Sequence, residues 1–334
     1  MKRRDFLKDA SLLSLGALAT GCTNPAKEGT AIASQVIGDK NMGLQIYTLG
    51  HELYTGDLST NLKRIADMGI KNLELAGYDP ADRKIGGIER AVFKKMAEEV
   101  GLKIISSHVN PPTVFSGAAG RENRTGRDGY YSGDMKNDIV ESFKQIADDH
   151  AELGIEYLIQ PMMPKEGINN TNDVKIFCDT LNATGEEIKK HGVTFGYHNH
   201  NMEFCKVSEN SDARFMGDIL TRPYVEGEQI IDIMMRETNP DLVIFEMDTY
   251  WTIMGQNDPV AMLTTYTDRI KLLHIKDFVV LGESGALNFS NIFNKFFENG
   301  NKYYFIEIED IDSGKQFERL EKSATWLAQQ DYVK

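Results

Sequence analysis

The sequence has little positive charge relative to its negative charge. Its 334 residues carry 37 Lys and Arg against 50 Asp and Glu, a formal net charge of −13, and no basic cluster occurs in the body of the chain. Affinity for nucleic acid comes mainly from Lys and Arg that neutralise phosphates, so we expect no nucleic-acid partner. The apolar fraction of 41% and the charged fraction of 26% are those of a soluble globular protein.

Cysteine is scarce, and one common cofactor motif is missing. The three cysteines, Cys22, Cys178 and Cys205, have no regular spacing. No disulfide framework is therefore predicted, and we interpret Cys178 and Cys205 as reduced core residues. No GxGxxG sequence follows the first strand-like run, which argues against a Rossmann dinucleotide-binding unit.

The N-terminal segment differs from the rest of the chain. A basic start with Arg3 and Arg4 precedes an apolar run at 10–19, which is too short for the roughly 20-residue helix that spans a bilayer. This arrangement resembles a bacterial twin-arginine export signal, with an ordinary amphipathic helix as the alternative. We predict an export signal at 1–22, a linker at 23–41 and a periplasmic protein.

A second signal overlaps the first. Residues 18–22, LATGC, resemble a lipoprotein processing site, although Ala19 stands where Leu is usual. Acylation of Cys22 would give a membrane-anchored lipoprotein, with the linker as its tether.

The remaining chain repeats one pattern of an apolar strand-like run, a loop, a helical pattern and a glycine. Alternating strands and helices imply a parallel sheet, and eight such units predict a single-domain α/β fold, a (β/α)8 TIM barrel, over 42–334. An open doubly wound sheet is the alternative. The predicted strands are 43–49, 71–76, 102–109, 155–160, 193–198, 242–247, 270–275 and 303–308.

Polar side chains stand at the predicted strand ends, where barrel enzymes carry their chemistry. The last inward positions of the final four strands are His198, Asp248, His274 and Glu307. Convergent imidazoles and carboxylates are the ligands of a divalent cation. The alternatives for single residues are a hydrogen-bonded histidine, an Asp that caps a helix, and a Glu307–Lys276 ion pair.

These strand ends resemble a known family, the xylose isomerase-like TIM barrels, or sugar phosphate isomerases/epimerases, over roughly 42–332. The segments DTYW, LLHIKD and FIEIE match its motifs for strands 6, 7 and 8. The resemblance implies one divalent ion (Mn, Co, Mg or Zn) on Asp248, His274 and Glu307. On strand 5, YHNHxxEF resembles one branch of the family, with His198 at the usual Glu position and His200 as the alternative ligand.

The resemblance also implies a chemistry. A divalent ion acidifies the C–H beside a sugar carbonyl, and a base then removes that proton. The outcome is epimerisation, isomerisation or β-elimination. The predicted function is therefore a metal-dependent sugar isomerase/epimerase. The alternative is a lyase or hydratase of keto-sugars or 3-keto-glycosides. The predicted catalytic residues are Glu307, His200, Glu203 and Lys276, the last as an oxyanion stabiliser unless it pairs with Asp277.

Other residues are predicted to bind the substrate, a small sugar or glycoside. Tyr47 and Trp251 offer flat faces for a sugar ring, Glu74 offers a carboxylate for hydroxyls, and His108 is a further contact or base. Trp251 stands where epimerases usually carry His. The long segment 111–135 is interpreted as a lid. Three-zinc apurinic endonucleases and a non-catalytic sugar-binding barrel are the rival classes, and the oligomeric state stays open.

Overall fold

A computed structural model of the protein describes residues 40–111, 134–163, 168–211, 226–309 and 314–334. The predicted export signal, Cys22, nearly all of the predicted linker and most of the predicted lid lie outside these residues. Those interpretations therefore stay predictions.

Eight parallel strands form a closed barrel in which the last strand pairs with the first. This confirms the predicted (β/α)8 TIM barrel. The barrel strands are β1 Met42–Gln45, β2 Asn72–Leu75, β3 Lys103–His108, β4 Tyr157–Gln160, β5 Thr194–His198, β6 Ile244–Asp248, β7 Ile270–Ile275 and β8 Tyr303–Ile306.

Helices follow the strands and cover the outside of the barrel. Several of them begin at short polar side chains: Asp57 accepts from Thr60 N, and Asn170 forms a capping box with Asp173. The helices in the described residues are α1 Leu58–Asp67, α2 Arg90–Glu99, α3 Asp134–Leu153, α4 Thr171–Lys189, α5 Ile230–Glu237, α6 Thr249–Met254, α7 Pro259–Thr265, α8 Phe289–Glu298 and α9 Gln316–Ala328.

The first strand is shorter than the predicted 43–49. It ends at Gln45, whose side-chain Oε1 accepts from Tyr47 N at 3.0 Å, and Ile46–Tyr54 then forms a 3-10 helix. Because of this side-chain hydrogen bond, the strand ends before Tyr47, and the chain then crosses the mouth of the barrel.

The core has two parts. A large apolar cluster lies mainly between the barrel and its helices. A small cluster of Ile105, Ile159, Ile244, Leu272, Tyr303 and Phe305 fills one end of the barrel interior. Gly196 allows this packing, because a Cβ there would stand 2.6 Å from Ile159 Cδ1. The apolar plug closes one end, so polar side chains gather at the other.

Two further sequence predictions concern cysteines and membrane spans. Cys178 and Cys205 are buried free thiols, as predicted. Within the described ranges, no helix is both long and apolar enough to cross a membrane.

Candidate active site

Strands β5 to β8 turn successive layers of side chains into the barrel, because every second residue of a strand faces the same side. Gly196, Ile244, Leu272 and Phe305 belong to the apolar end. Two residues further along come His198, Glu246, His274 and Glu307, and two further His200, Asp248, Lys276 and Glu309. Along each strand the inward side chains change from apolar to ionisable within two residues, and this change sets how deep in the barrel the site lies.

The structure brings together the four residues predicted to bind a metal. One nitrogen or carboxylate oxygen from each of His198, Asp248, His274 and Glu307 lies within 4.8 Å of the others, and all four residues are buried. His274 Nδ1 lies 3.0 Å from Glu307 Oε2, and His198 Nε2 lies 3.9 Å from Asp248 Oδ2. We call these four residues the mouth group.

One atom of the mouth group in particular fits a cation. Asp248 Oδ2 is buried without a hydrogen-bond partner, a costly state for a polar atom inside a protein, and it lies 3.9 Å from His198 Nε2. The other ring nitrogen of His198, Nδ1, is on the side of Glu246 Oε2, 3.3 Å away. Burial, reinforced by the neighbouring imidazoles, lowers the pKa of His198 well below its ordinary value. A neutral imidazole keeps the lone pair that a metal ligand needs, so the donor set suits a divalent ion.

Lys276 is buried beside the mouth group. Its Nζ lies 3.0 Å from Glu307 Oε2 and 3.6 Å from Asp248 Oδ2, and it also bonds Glu309. Burial opposes its charge, but the carboxylates of Glu307 and Asp248 outweigh burial and raise the pKa of Lys276 above its ordinary value. The ammonium therefore stays charged and balances the carboxylates around it.

The alternative Lys276–Asp277 ion pair is not the arrangement seen in the described part of the chain. Asp277 accepts instead from the backbone N–H of Phe278 at 2.8 Å and of Gly282 at 3.0 Å. The ion pair with Glu307, also named from sequence as an alternative, is present.

Further ionisable groups contact the residues of the mouth group. Glu74 and Glu246 are fully buried, and their Oε2 atoms lie 3.2 Å and 2.7 Å from His108 Nε2. Glu246 was not among the predicted site residues. The signal that identifies it is its position two residues before Asp248 on the same strand, which gives both side chains the same direction.

Some of the residues predicted to contact the substrate or to act as bases line a cavity, and others do not. A cavity of about 380 Å³ opens at this end of the barrel, within the range of small-ligand pockets. Glu74 lies beneath it, with oxygens that accept from Gln45 Nε2 at 2.9 Å and Ser106 Oγ at 2.6 Å. The described lining residues are Tyr47, Ala76, Gly77, His108, Asn110, Pro161, Met162, His198, His200, Glu307 and Glu309.

Besides Glu74, the predicted catalytic and substrate-binding residues outside that lining are Lys276, Trp251 and Glu203. Trp251 packs its ring 5.3 Å from the ring of His200. Glu203 is fully buried and accepts from the Tyr197 hydroxyl and from His200 N, the latter at 2.9 Å. Burial raises the pKa of Glu203 to about 7. Its contacts hold the turn that carries His200.

Comparison with known proteins agrees with this architecture. A family model described as xylose isomerase-like TIM barrel matches residues 62–330. The chain belongs to this family. The solved structure of a sugar phosphate isomerase/epimerase from Parabacteroides distasonis ATCC 8503 is 45% identical, with a TM-score of 0.77 over 88% of this chain and 100% of that one. A second structure from that organism is 38% identical, with a TM-score of 0.76 over 88% and 98% of the two chains.

Curated proteins match this chain over shorter stretches. The inosose dehydratase of Halalkalibacterium halodurans is 31% identical over 100 residues, which is 30% of this chain and 26% of that protein. The chain thus spans about a quarter of the length of this curated relative. The relatives include sugar phosphate isomerase/epimerases and inosose dehydratases, which supports an enzymatic role for this chain.

Proposed function

We propose that this protein is a divalent-metal-dependent sugar isomerase or epimerase that acts through enolisation of a keto-sugar. The observation that carries the proposal is the mouth group itself, two imidazoles and two carboxylates within 4.8 Å of one another. A non-catalytic sugar-binding barrel has no use for four such groups. The ion, of the Mn, Co, Mg or Zn class, would be held by His198, Asp248, His274 and Glu307.

The residues around the mouth group have distinct roles in this proposal. The bound ion would polarise a sugar carbonyl and acidify the adjacent C–H. His200 lines the cavity and is the proposed base; burial lowers its pKa to about 3, so its ring is neutral at pH 7. Lys276 does not line the cavity, but its buried ammonium lies 3.0 Å from Glu307, which does, and it is the proposed source of positive charge that favours the enolate oxygen.

The charge of the cavity wall favours an uncharged substrate. The described lining includes Glu307 and Glu309 and no Lys or Arg. The nearby ammonium of Lys276 already contacts three carboxylates and is 1% exposed. A phosphate group carries about −1.5 to −2 charges at pH 7 and would be repelled by this wall. We therefore infer a free keto-sugar or a glycoside.

β-Elimination is the second candidate, and two observations favour it. The curated relatives that match are inosose dehydratases, and a dehydratase removes a β-hydroxyl after a proton is lost. In addition, Trp251 occupies the position at which epimerases of the family usually carry a His, and an indole does not transfer protons at neutral pH. A 3-keto-glycoside would lose its aglycone through the same enolate.

Proton NMR in D2O with keto-sugars and 3-keto-glycosides separates the candidates. Deuterium that enters the substrate with an epimer or isomer as product supports the first, and a released aglycone or an unsaturated sugar supports the second. Metal analysis accompanies the assay, with Asp248→Ala as the matched loss-of-site variant. No bound divalent ion in the wild type, even after reconstitution, would overturn the metal-dependent mechanism.

Export is a further part of the proposal. The basic start with Arg3 and Arg4 before a short apolar run supports twin-arginine export to the periplasm, and Cys22 is the proposed lipid attachment site. A reporter fused to residues 1–22 should be exported, and an Arg3→Lys/Arg4→Lys double variant should stay in the cytoplasm. Palmitate labelling lost in Cys22→Ala would support the lipid anchor. Export that persists in the double variant would overturn the twin-arginine route.

A further inference from the structure

Two buried carboxylates and two imidazoles, one of them His274 of the mouth group, form a closed set of contacts. His274 Nε2 lies 2.5 Å from Glu74 Oε2 and 3.1 Å from Glu246 Oε2. His108 Nε2 lies 2.7 Å from Glu246 Oε2 and 3.2 Å from Glu74 Oε2. The two rings stack with an interplanar angle of 10°. We call these four residues the floor group.

His108, Glu246 and His274, together with His198, also form a second group of side chains close enough to hold a metal ion. The His274–Glu74 and His108–Glu246 distances of 2.5 Å and 2.7 Å are, however, those of hydrogen bonds. The floor group therefore consists of imidazole N–H groups that donate to carboxylates.

The neighbours of Glu74 fix it as an acceptor. Gln45 uses its Oε1 to accept from Tyr47 N, so its Nε2 is the atom that donates to Glu74 Oε2 at 2.9 Å. Ser106 Oγ donates to the other oxygen at 2.6 Å. With donors on both oxygens, Glu74 receives the Nε2 proton of His274, which leaves Nδ1 on the side of Glu307.

We propose that Glu74 and Glu246 are positioning residues that hold His274 with Nδ1 directed at the mouth group. The inference rests on the proposed metal-dependent function. A carboxylate that accepts from the far nitrogen of a ligating histidine orients the ring and strengthens the ligand, and its loss commonly weakens metal binding 10–100-fold. Glu74, at 2.5 Å, should matter more than Glu246, at 3.1 Å.

The test is calorimetric titration of the purified full chain with MnCl2. We expect Glu74→Gln to weaken binding about 10–100-fold while one ion per chain still binds, Glu246→Gln to weaken it less, and Glu74→Asp to lie between Glu74→Gln and the wild type. Glu98→Gln, an exposed carboxyl on α2, is the matched control. Affinity within about twofold of the wild type in Glu74→Gln would overturn the inference. Complete loss of the ion would do so as well, since that is the behaviour of a ligand.

A spectroscopic readout keeps this inference separate from the proposed function. In selectively 15N-labelled histidine, the Nε2 and Nδ1 resonances of His274 report which nitrogen carries the proton, with or without metal. They should change in Glu74→Gln and not in Glu98→Gln. If the wild type binds no divalent ion, the proposed function fails, and unchanged His274 resonances in Glu74→Gln would then overturn the positioning role independently. Circular dichroism confirms that each variant is folded.

Discussion

Lys276 Nζ lies 3.0 Å from Glu307 Oε2, at the point where two strands of the barrel end side by side. Lys276 is 1% exposed and Glu307 is 7% exposed. An ammonium and a carboxylate buried together stabilise each other strongly, and removing one leaves an uncompensated charge. The same carboxylate belongs to the mouth group, so the amine and a metal ion would share it.

Lys276→Met should therefore destabilise the metal-free protein and favour metal binding. Loss of one partner of a buried pair costs about 3–5 kcal/mol, and a bound divalent ion would compensate Glu307 and Asp248 in place of the ammonium. Thermal unfolding in EDTA and in MnCl2 measures both effects, with the exposed Lys63→Met as control. An equal loss of stability in the two buffers would contradict this balance of charges.

Asp248 has two separable roles, which two variants distinguish. Its Oδ1 caps helix α6 by accepting from Trp251 N at 2.8 Å, and its Oδ2 is without a hydrogen-bond partner. Both variants remove the carboxylate beside Lys276, but Asp248→Asn keeps a capping oxygen, so in EDTA it should be about 1 kcal/mol more stable than Asp248→Ala. Both should lose the ion in metal analysis. An Asn variant that keeps the ion at wild-type affinity would argue against Asp248 as a ligand.

Two histidine variants test whether His198 binds the ion and His200 acts as the base. His198 belongs to the mouth group, and His200 lines the cavity without belonging to it. His198→Gln should lose the ion. His200→Gln should keep it and slow deuterium exchange into the substrate by about 10²–10⁴-fold, the usual effect of a lost general base. The reverse result would make His200 the ligand.

The buried His150, which is not part of the mouth group, should make the free energy of unfolding depend on pH. It is fully buried, with its ring nitrogens 2.6 Å from Ile146 O and 3.0 Å from Ser107 Oγ. Burial lowers its pKa from 6.5 to about 4, so below pH 6.5 the unfolded chain binds a proton that the folded chain does not. The stability from neutral His150 is complete above pH 6.5 and is lost towards pH 4.

The full effect is about 3 kcal/mol. Urea unfolding at pH 7.5 and pH 4.5 should show a smaller difference between the two pH values in His150→Gln than in the wild type. His51→Gln, at an exposed position, is the matched control. An identical pH difference in His150→Gln and the wild type would contradict the assignment.

The positions of the mouth group were predictable from sequence for a simple reason. Asp248, His274 and Glu307 each stand at the end of an apolar run, and parallel strands of a barrel end at one rim. The alternation of side chains then decides which of two neighbouring residues turns inward. Glu203 lies beyond the strand, where this alternation no longer applies, so sequence alone did not reveal that it bonds Tyr197 and the backbone of His200.

The sequence by itself determined the number of βα units, the rim at which chemistry is concentrated and three residues of the mouth group, Asp248, His274 and Glu307, because each depends on a local period. It left His198 and His200 as alternatives on β5. The tertiary structure decided the floor group. The pairing of β2 with β3 shifts register between Leu73 and Glu74, and that of β6 with β7 shifts between Phe245 and Glu246. Such irregularities re-aim side chains. They depend on contacts between distant strands, so the contacts of Glu74 and Glu246 with His108 and His274 appear only in the folded barrel.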